Sequence, residues 1–295
     1  MTDLEIRDLD GFDEYRRAVA FQESIWGEGF SERVPASLMK VTRRIGGVVA
    51  GAFEADQEMV GFVYGMTGVA EGELIHWSDI LAVRPGLRDR GLGRRLKAFQ
   101  RDRVLSVGAT RMHWTFDPLE SRNAYLNLGR LGALVREYAV DMYGVSDSPL
   151  HRGLGTDRFV VTWELDTPRV EDRLGGAGPP GAESFAGLPV AFGVDVAAAD
   201  PSPGVPGPAD LAALRVEGAA AGGLRVPVPA DIQGLRDRAP ELAARWRSVT
   251  RTVLSPLLGE GWEVRELVRD PARPSHLSHY VLVPPVEPSS LPETS

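Results

Sequence analysis

Cysteine is absent from the 295 residues. Disulfides, zinc–thiolate centres and thiol catalysis are excluded together. Lysine is almost absent as well: Lys40 and Lys97 stand against abundant arginine. With plentiful glycine, alanine and proline, that bias belongs to a GC-rich genome rather than to a function. Positive charge is not in excess, with 33 Lys and Arg against 41 Asp and Glu and a formal net charge of -8. Without surplus basic groups there is little to release counterions from a phosphate backbone, so nucleic acid is not an expected partner. No apolar run approaches the roughly 18 residues of a membrane-spanning helix, so no membrane association is expected. The start, Met1-Thr-Asp-Leu-Glu5, is acidic and lacks the basic and apolar regions of a signal peptide. A cytoplasmic location is the expectation. The length suits one large domain or two modest ones.

What is present is a pointed use of glycine. The apolar run Ile80-Leu-Ala-Val83 is followed by Arg88-Asp-Arg-Gly91-Leu-Gly93-Arg-Arg-Leu96 and then by a helical pattern to Leu105. Strand, short glycine loop and helix start, in that order, form an anion cradle. Glycine lets the backbone approach, loop amides point at the anion, and the helix dipole favours negative charge. Arg84, Arg88, Arg90, Arg94 and Arg95 surround the loop, so a di- or triphosphate is the expected anion. The dinucleotide fingerprint is not met, since Leu96 stands where its third glycine belongs and no Asp or Glu ends a second strand at the right distance. A P-loop would need Gly-Lys-Ser/Thr, which is missing. An ordinary strand-to-helix turn with surface arginines is the remaining alternative.

Hydrophobic spacing predicts a strand at 4–7, a helix from Asp10 as cap to Ile25, and a second helix from Pro35 to Arg44. Strands follow at 46–54, 59–67 and 73–83, then a helix to Val107, a strand at 112–116, a helix at 119–131, and strands at 133–141 and 159–165. This order predicts a mixed α/β sheet with helices on both faces. From Pro168 to Gly223 the composition turns to Gly, Ala and Pro, read either as an extended linker or as a partly ordered excursion over the surface. A helix at 241–258, kinked or ended early by Pro256, and strands at 262–268 and 279–283 complete the chain. The domain reading is 1–166, a 167–223 linker, and a 224–295 αβ subdomain. Helix, glycine, aromatic, strand, loop, strand closes both ends, so 225–295 is read as a truncated second copy of the first domain's C-terminal half.

Arg88-x-x-Gly91-x-Gly93 after a strand ending in Val83 resembles the acyl-CoA loop of the GNAT superfamily of N-acetyltransferases. Residues 114–132 are similar to its next strand, helix and Leu-Gly turn. Arg136-Glu-Tyr138, Met142-Tyr-Gly144 and Arg152-Gly-Leu-Gly-Thr-Asp-Arg-Phe-Val-Val-Thr-Trp163 resemble a bacterial subgroup of predicted acetyltransferases, some linked to N-succinylation of amino acids. The resemblance covers residues 3–166 and continues more weakly at Val228–Gln233 and Trp246-Arg247. It implies a GNAT fold with a C-terminal αβ extension. It implies acetyl-CoA or succinyl-CoA as co-substrate, a small-molecule amine acceptor, preferably an amino acid, and a homodimer.

Acyl transfer from a thioester to an amine requires diphosphate binding, thioester alignment, removal of an amine proton and oxyanion stabilisation. The amides of Arg88, Arg90, Gly91, Leu92, Gly93 and Arg94 would hold the diphosphate. By resemblance, Leu81 and Val83 on a strand splayed from its neighbour would bond the pantetheine arm, and Asn123 would contact it. Strand alternation puts Ile75, Trp77, Asp79, Leu81 and Val83 on one face and His76, Ser78 and Ile80 on the other. Asp79, inside an apolar strand, is either a base with a raised pKa or a residue satisfied by an arginine. His76 is a rival base or a hydrogen-bonded structural histidine. The family's usual tyrosine acid would fall at Leu128, a departure that leaves Tyr125, Tyr138 and Tyr143 as candidates, each also readable as a packing aromatic. Arg152 and Arg158 could grip a carboxylate by a two-point fork, or Asp157 pairs Arg158 to fix a turn. Arg245, Arg247 and Arg251 have the same two readings, a solvated face being the simpler. His276 and His279 lack carboxylates at ligand spacing, so no metal is expected.

Overall fold

The computed structural model describes residues 4–144, 154–197, 200–270 and 276–286. The chain opens with β1 (Glu5–Asp8), α1 (Gly11–Trp26) and α2 (Ala36–Arg44), followed by β2 (Val48–Phe53), β3 (Met59–Ala70) and β4 (Glu73–Val83). Next come α3 (Leu92–Ser106), β5 (Arg111–Phe116), and α4 (Ser121–Ala124), which runs into a π-helical turn at Tyr125–Arg130. β6 (Leu134–Ala139) and β7 (Arg158–Glu164) follow. The expected strand and helix order is therefore the observed one up to residue 164. Apolar spacing places α1, which buries Tyr15, Ala18 and Phe21. Asp10 is its N-cap residue but does not cap it with its side chain; instead the Asp10 N–H donates to Glu14, which Arg7 holds.

The stretch after Pro168 is ordered rather than an extended linker. It carries α5 (Pro168–Leu174), the short pair β8 (Val194–Asp195) and β9 (Ser202–Pro203), and α6 (Pro208–Ala221). It buries Val170, Ala191, Phe192 and Leu214 in the main core. Composition misleads here because apolar residues are thinly spread, each covering part of a neighbour's surface. β10 (Leu224–Pro229), α7 (Ile232–Arg238), α8 (Pro240–Gly259), β11 (Glu263–Arg269) and β12 (Leu277–Val283) then complete the described structure. α8 continues through Pro256 to Gly259. Among the described residues no helix is long and apolar enough to cross a membrane.

Ten strands form one mixed sheet in the order β1-β2-β3-β4-β5-β7-β6-β11-β12-β10. Its neighbours are antiparallel except β4 and β5, which are parallel. One core lies under α1 and α2 and includes Tyr15, Phe21, Met39, Phe62, Tyr64, Ile80 and Ala82. The other, under α3 and α8, runs from Val48 and Leu96 through Trp114 and Trp163 to Trp246 and Tyr280.

Candidate functional site

β4 is irregular where it matters. Tyr64 of β3 pairs with Ile80, but Gly65 pairs with Ser78, so Asp79 is an extra residue in the ladder. A bulge reverses which face each following side chain takes. His76 and Ser78 are buried toward α3, where they meet Gln100 and Lys97. Beyond the bulge it is Leu81 and Val83 that join the α3 core, while Ile80 and Ala82 enter the α1 core. Simple alternation, which put His76 with Ile80, is thereby corrected.

The bulge also bends β4, and the pairing with β5 stops just before it. Ile75, His76 and Trp77 pair with Arg111, Met112 and His113; no further pair forms. From Ser78 to Val83 on one side and Trp114 to Phe116 on the other, the strands part. A wedge opens along the main-chain edge of β4, which includes Leu81 and Val83 and where the Val83 carbonyl oxygen accepts from Arg88 Nε. The two surface clefts found elsewhere, about 290 Å³ by α1 and α2 and about 220 Å³ beside β10, are separate from it. The wedge is an edge that offers main-chain bonds, not a closed cavity.

The glycine loop sits at the open end of this edge. Asp89 has φ 60° and Gly91 φ 83°, and Gly91 is the N-cap of α3 in a left-handed conformation. Gly93 needs no such conformation. A Cβ there would have room, with Leu126 at 3.7 Å and Leu81 at 3.8 Å. Its lack of one leaves the approach to the first-turn amides of Leu92, Gly93 and Arg94 clear, groups that a helix start leaves unpaired. Leu92 itself is 2% exposed and anchors the loop in the core. The five arginines divide. Arg84 pairs with Glu54 and Glu58, and Arg95 donates to the Leu4 carbonyl oxygen, so both turn away. Arg88 Nε donates to the Val83 carbonyl oxygen at 3.1 Å. Arg90 is exposed and Arg94 half-buried, and they remain for an anion. A phosphate group fits what is present: unpaired amides, two uncommitted guanidiniums and a glycine that admits close approach. Asn123, on α4, is exposed.

Asp79 is exposed at the bulge. Its partly enclosed setting raises its carboxyl above the usual carboxylate range, and Glu32 adds to this. No arginine satisfies it among the described residues. His76 is different. It is 0% exposed, Gln100 Nε2 donates to its Nε2 at 3.1 Å, and its Nδ1 lies 3.0 Å from Thr67 Oγ1. Burial, with the Lys97 charge in second place, lowers its pKa to about 3. With both ring nitrogens hydrogen-bonded and no exposed surface, His76 fits the structural one of its two readings.

Tyr138 is likewise corrected. Its hydroxyl donates to Asp157 Oδ2 at 2.5 Å, burial and that carboxylate raise its pKa, and β5 and β7 separate β6 from β4. Tyr143 stands closer to the wedge, its hydroxyl 2.9 Å from Thr115 Oγ1 on the end of β5 that pairs with β7 but not with β4. Leu128 is 0% exposed, a core residue. Arg158 is 8% exposed; its Nη1 donates to the Asp157 carbonyl oxygen, and it lies over the Tyr143 ring. The carboxylate of Asp157 pairs with Arg251, not with Arg158. Burial would raise Asp157, but Arg251, Tyr138 and the Asp141 N–H outweigh it and lower its pKa. Arg152 lies outside the described residues.

α8 supplies what the sequence reading placed in solvent. Arg247 is 5% exposed and grips both oxygens of Asp117 at 2.6 and 2.5 Å. Arg251 holds Asp157, and Arg245 alone is exposed. The last part of the chain thus clamps the end of β5 and the turn into β7. Their signal in sequence was position: Arg247 and Arg251 are one turn apart on a single face.

No protein-family model and no curated protein matches this chain. Solved structures similar to it include an acetyltransferase of the GNAT family from Streptococcus pneumoniae, 15% identical over 54% of this chain and 98% of that one, with a TM-score of 0.44. The yncA protein of Salmonella typhimurium, with acetyl-CoA as its cofactor, is 17% identical over 56% and 96%, with a TM-score of 0.45. The ribosomal-protein-S18-alanine N-acetyltransferase of Escherichia coli is 14% identical over 56% and 96%, with a TM-score of 0.43.

Proposed function

We propose that this chain is a GNAT-type N-acyltransferase that moves an acetyl or succinyl group from coenzyme A to the amine of a small molecule, preferably an amino acid. One observation carries the reading. A glycine-built anion cradle is joined directly to a strand edge left unpaired by a splayed parallel neighbour. That edge can align an extended thioester by main-chain bonds while the cradle holds its diphosphate. The chain lacks cysteine, so the amine attacks the thioester directly in a ternary complex. As the new C–N bond forms and the C–S bond breaks, the amine gives up a proton and the thiolate gains one. Asp79, at the bulge and with a raised pKa, accepts the amine proton directly or through water. Tyr143, whose hydroxyl lies beside Thr115 Oγ1, is the tyrosine we assign to return a proton to sulfur. Arg158 and Arg152 would hold the acceptor's carboxylate. A cytoplasmic location and a homodimer belong to the same reading.

A second reading, a non-catalytic acyl-CoA-binding scaffold, is favoured by one fact: the family's usual tyrosine position is the buried Leu128. Thermal-shift measurements with acetyl-CoA, succinyl-CoA and free CoA test the binding common to both, because a ligand of the native state raises the Tm. Release of free thiol on adding amino acids separates them. Binding without turnover across the amine set leaves only the scaffold.

A further inference from the structure

A second group of cations lies away from the glycine loop. The cleft of about 290 Å³ beside α1 and α2 is lined by Asp10, Phe12 and Tyr15 from the start of α1 and by Lys40, Arg43 and Arg44 from the end of α2. On a chain of net charge -8, three cations against one acid reverse the sign locally. The cations are not equally occupied. Arg43 pairs with Asp8 at 3.0 Å, and Asp8 also holds Arg103 of α3 at 3.1 Å. Lys40 Nζ sits 4.9 Å from the Phe12 ring centroid and has no ion pair among the described residues. Arg44 has neither an ion pair nor a hydrogen bond among them. The acids of the first turn of α1 are committed, Asp13 to Arg16 and Glu14 to Arg7. Asp10 is exposed, so water screens its charge.

Two further observations point to a ligand. Tyr15 is 4% exposed, yet its hydroxyl has no hydrogen-bond partner among the described residues. A tyrosine so enclosed ordinarily finds one. α1 also begins without a side-chain cap, which leaves first-turn N–H groups unpaired. Gly11, which lines the cleft at φ 78°, has open space where a Cβ would stand. Amides, a phenol and two unpaired cations therefore offer donors around one cleft.

We infer that this cleft is a second binding site, which takes the phosphate group of a small phosphorylated molecule. A tetrahedral phosphate accepts hydrogen bonds from several directions, whereas a carboxylate offers two oxygens in one plane. Lys40 and Arg44 supply the charge, and the Phe12 ring steadies Lys40. The start of α1 favours the anion through its amides and dipole. The Tyr15 hydroxyl gains the partner it lacks. The glycine loop is a separate place. Arg95, in the first turn of α3, reaches Leu4, while Arg103 near its end reaches Asp8 beside the cleft, roughly 12 Å further along the helix. The site stands whether or not the chain transfers acyl groups.

Isothermal titration calorimetry with ribose 5-phosphate, ribose and inorganic phosphate, at matched ionic strength, tests it. Ribose 5-phosphate should bind and ribose should not. Inorganic phosphate binding as tightly as the ester makes the ligand free phosphate; tighter binding of the ester makes it a phosphorylated metabolite. Lys40→Ala and Arg44→Ala should each weaken the ester about tenfold, and Tyr15→Phe about threefold. Gly91→Val, which damages the glycine loop, should leave it as it is. A loss in either cation variant places the ligand in the cleft, and both side chains are exposed, so their removal leaves the core intact. No binding of either phosphate in the wild type, or unchanged affinity in both cation variants, overturns the inference. Loss of binding in Gly91→Val alone would assign the phosphate to the glycine loop and overturn it equally.

Discussion

The segment β5–α4–β6–β7 and the segment β10–α8–β11–β12 share one plan. Sheet order is β5-β7-β6 in the first and β10-β12-β11 in the second, and the two meet where β6 pairs antiparallel with β11, Val135 opposite Val264. Each valine lies three residues after a left-handed glycine, Gly132 at φ 73° and Gly261 at φ 88°. Each is followed by a bulged arginine, Arg136 or Arg265, and then a glutamate. Pairing between corresponding residues is what a two-fold relation between halves produces. The two segments thus share strand order and local backbone at their seam.

The copies differ in what surrounds them. The first is bordered by β4 and the glycine loop; the second has beside β10, among the described residues, a single parallel bridge from Val190 to Arg225. Glu137 is exposed, whereas Glu266 is 3% exposed, because Arg169 and Arg173 of the α5 region cover it. The buried hydroxyl of Tyr138 gives way to Leu267. One frame therefore borders the glycine loop and the open edge of β4, and the other braces it through Arg247 and Arg251.

Four measurements would break or sharpen that division. The largest effect belongs to the clamp. Arg247→Ala strands Asp117 and should cost about 3–5 kcal/mol in urea unfolding, while the exposed Arg245→Ala should stay within about 0.5 kcal/mol. Equal losses would mean that α8 supports nothing in particular.

The paired glycines come next. Gly132→Ala combines a left-handed backbone with a Cβ 3.0 Å from the Arg169 carbonyl oxygen and 3.0 Å from Arg173 Cγ; about 2 kcal/mol is expected. Gly261→Ala meets only Pro285, at 3.4 Å, and should cost about 1 kcal/mol. The reverse order in thermal melts would show that the second copy, not the first, is the more tightly packed.

Ligand binding should separate the copies completely. Gly91→Val and Arg94→Ala should each weaken CoA binding about tenfold, by strain and by loss of a charge-assisted bond. Glu241→Gln, in the first turn of α8, should leave it unchanged. Unaltered affinity in both loop variants would remove the loop from the site.

The last comparison is pH dependence, read one pH unit at a time. His76 has a folded pKa of about 3, so between that value and its unfolded pKa of about 6.5 the unfolded chain binds the extra proton. Stability should fall as pH drops below about 6.5, by at most about 1.4 kcal/mol per unit. His76→Gln should flatten the slope. His279 on β12, also lowered by burial, should contribute a smaller share; a larger one would place the acid-sensitive element in the second copy.

Local patterns were readable wherever neighbours in sequence did the work. Apolar spacing located α1, β4 and α8, and the glycine loop announced itself because turn geometry and helix start are local. The π-helical turn at 125–130 and the reversal of face after Asp79 were not readable, because each arises from packing against strands far away in the chain. The site followed suit. Gly91, Gly93 and Asp79 stood out in sequence; His76 and Tyr138 kept two readings each, because their hydrogen-bond partners, Gln100 and Asp157, are distant. The burial of Lys97 had only rarity and an apolar helix face as a signal.

By itself the sequence determined the order of elements, the anion cradle and the repeated Gly-x-x-Val-Arg-Glu frame, since dihedral preference and side-chain period act over a few residues. Tertiary structure alone decided that β4 and β5 part, that Lys97 is buried against Ser78 and Trp114, and that α8 reaches back to Asp117 and Asp157. Those outcomes depend on which groups share a low-dielectric space, and only the closed sheet settles that.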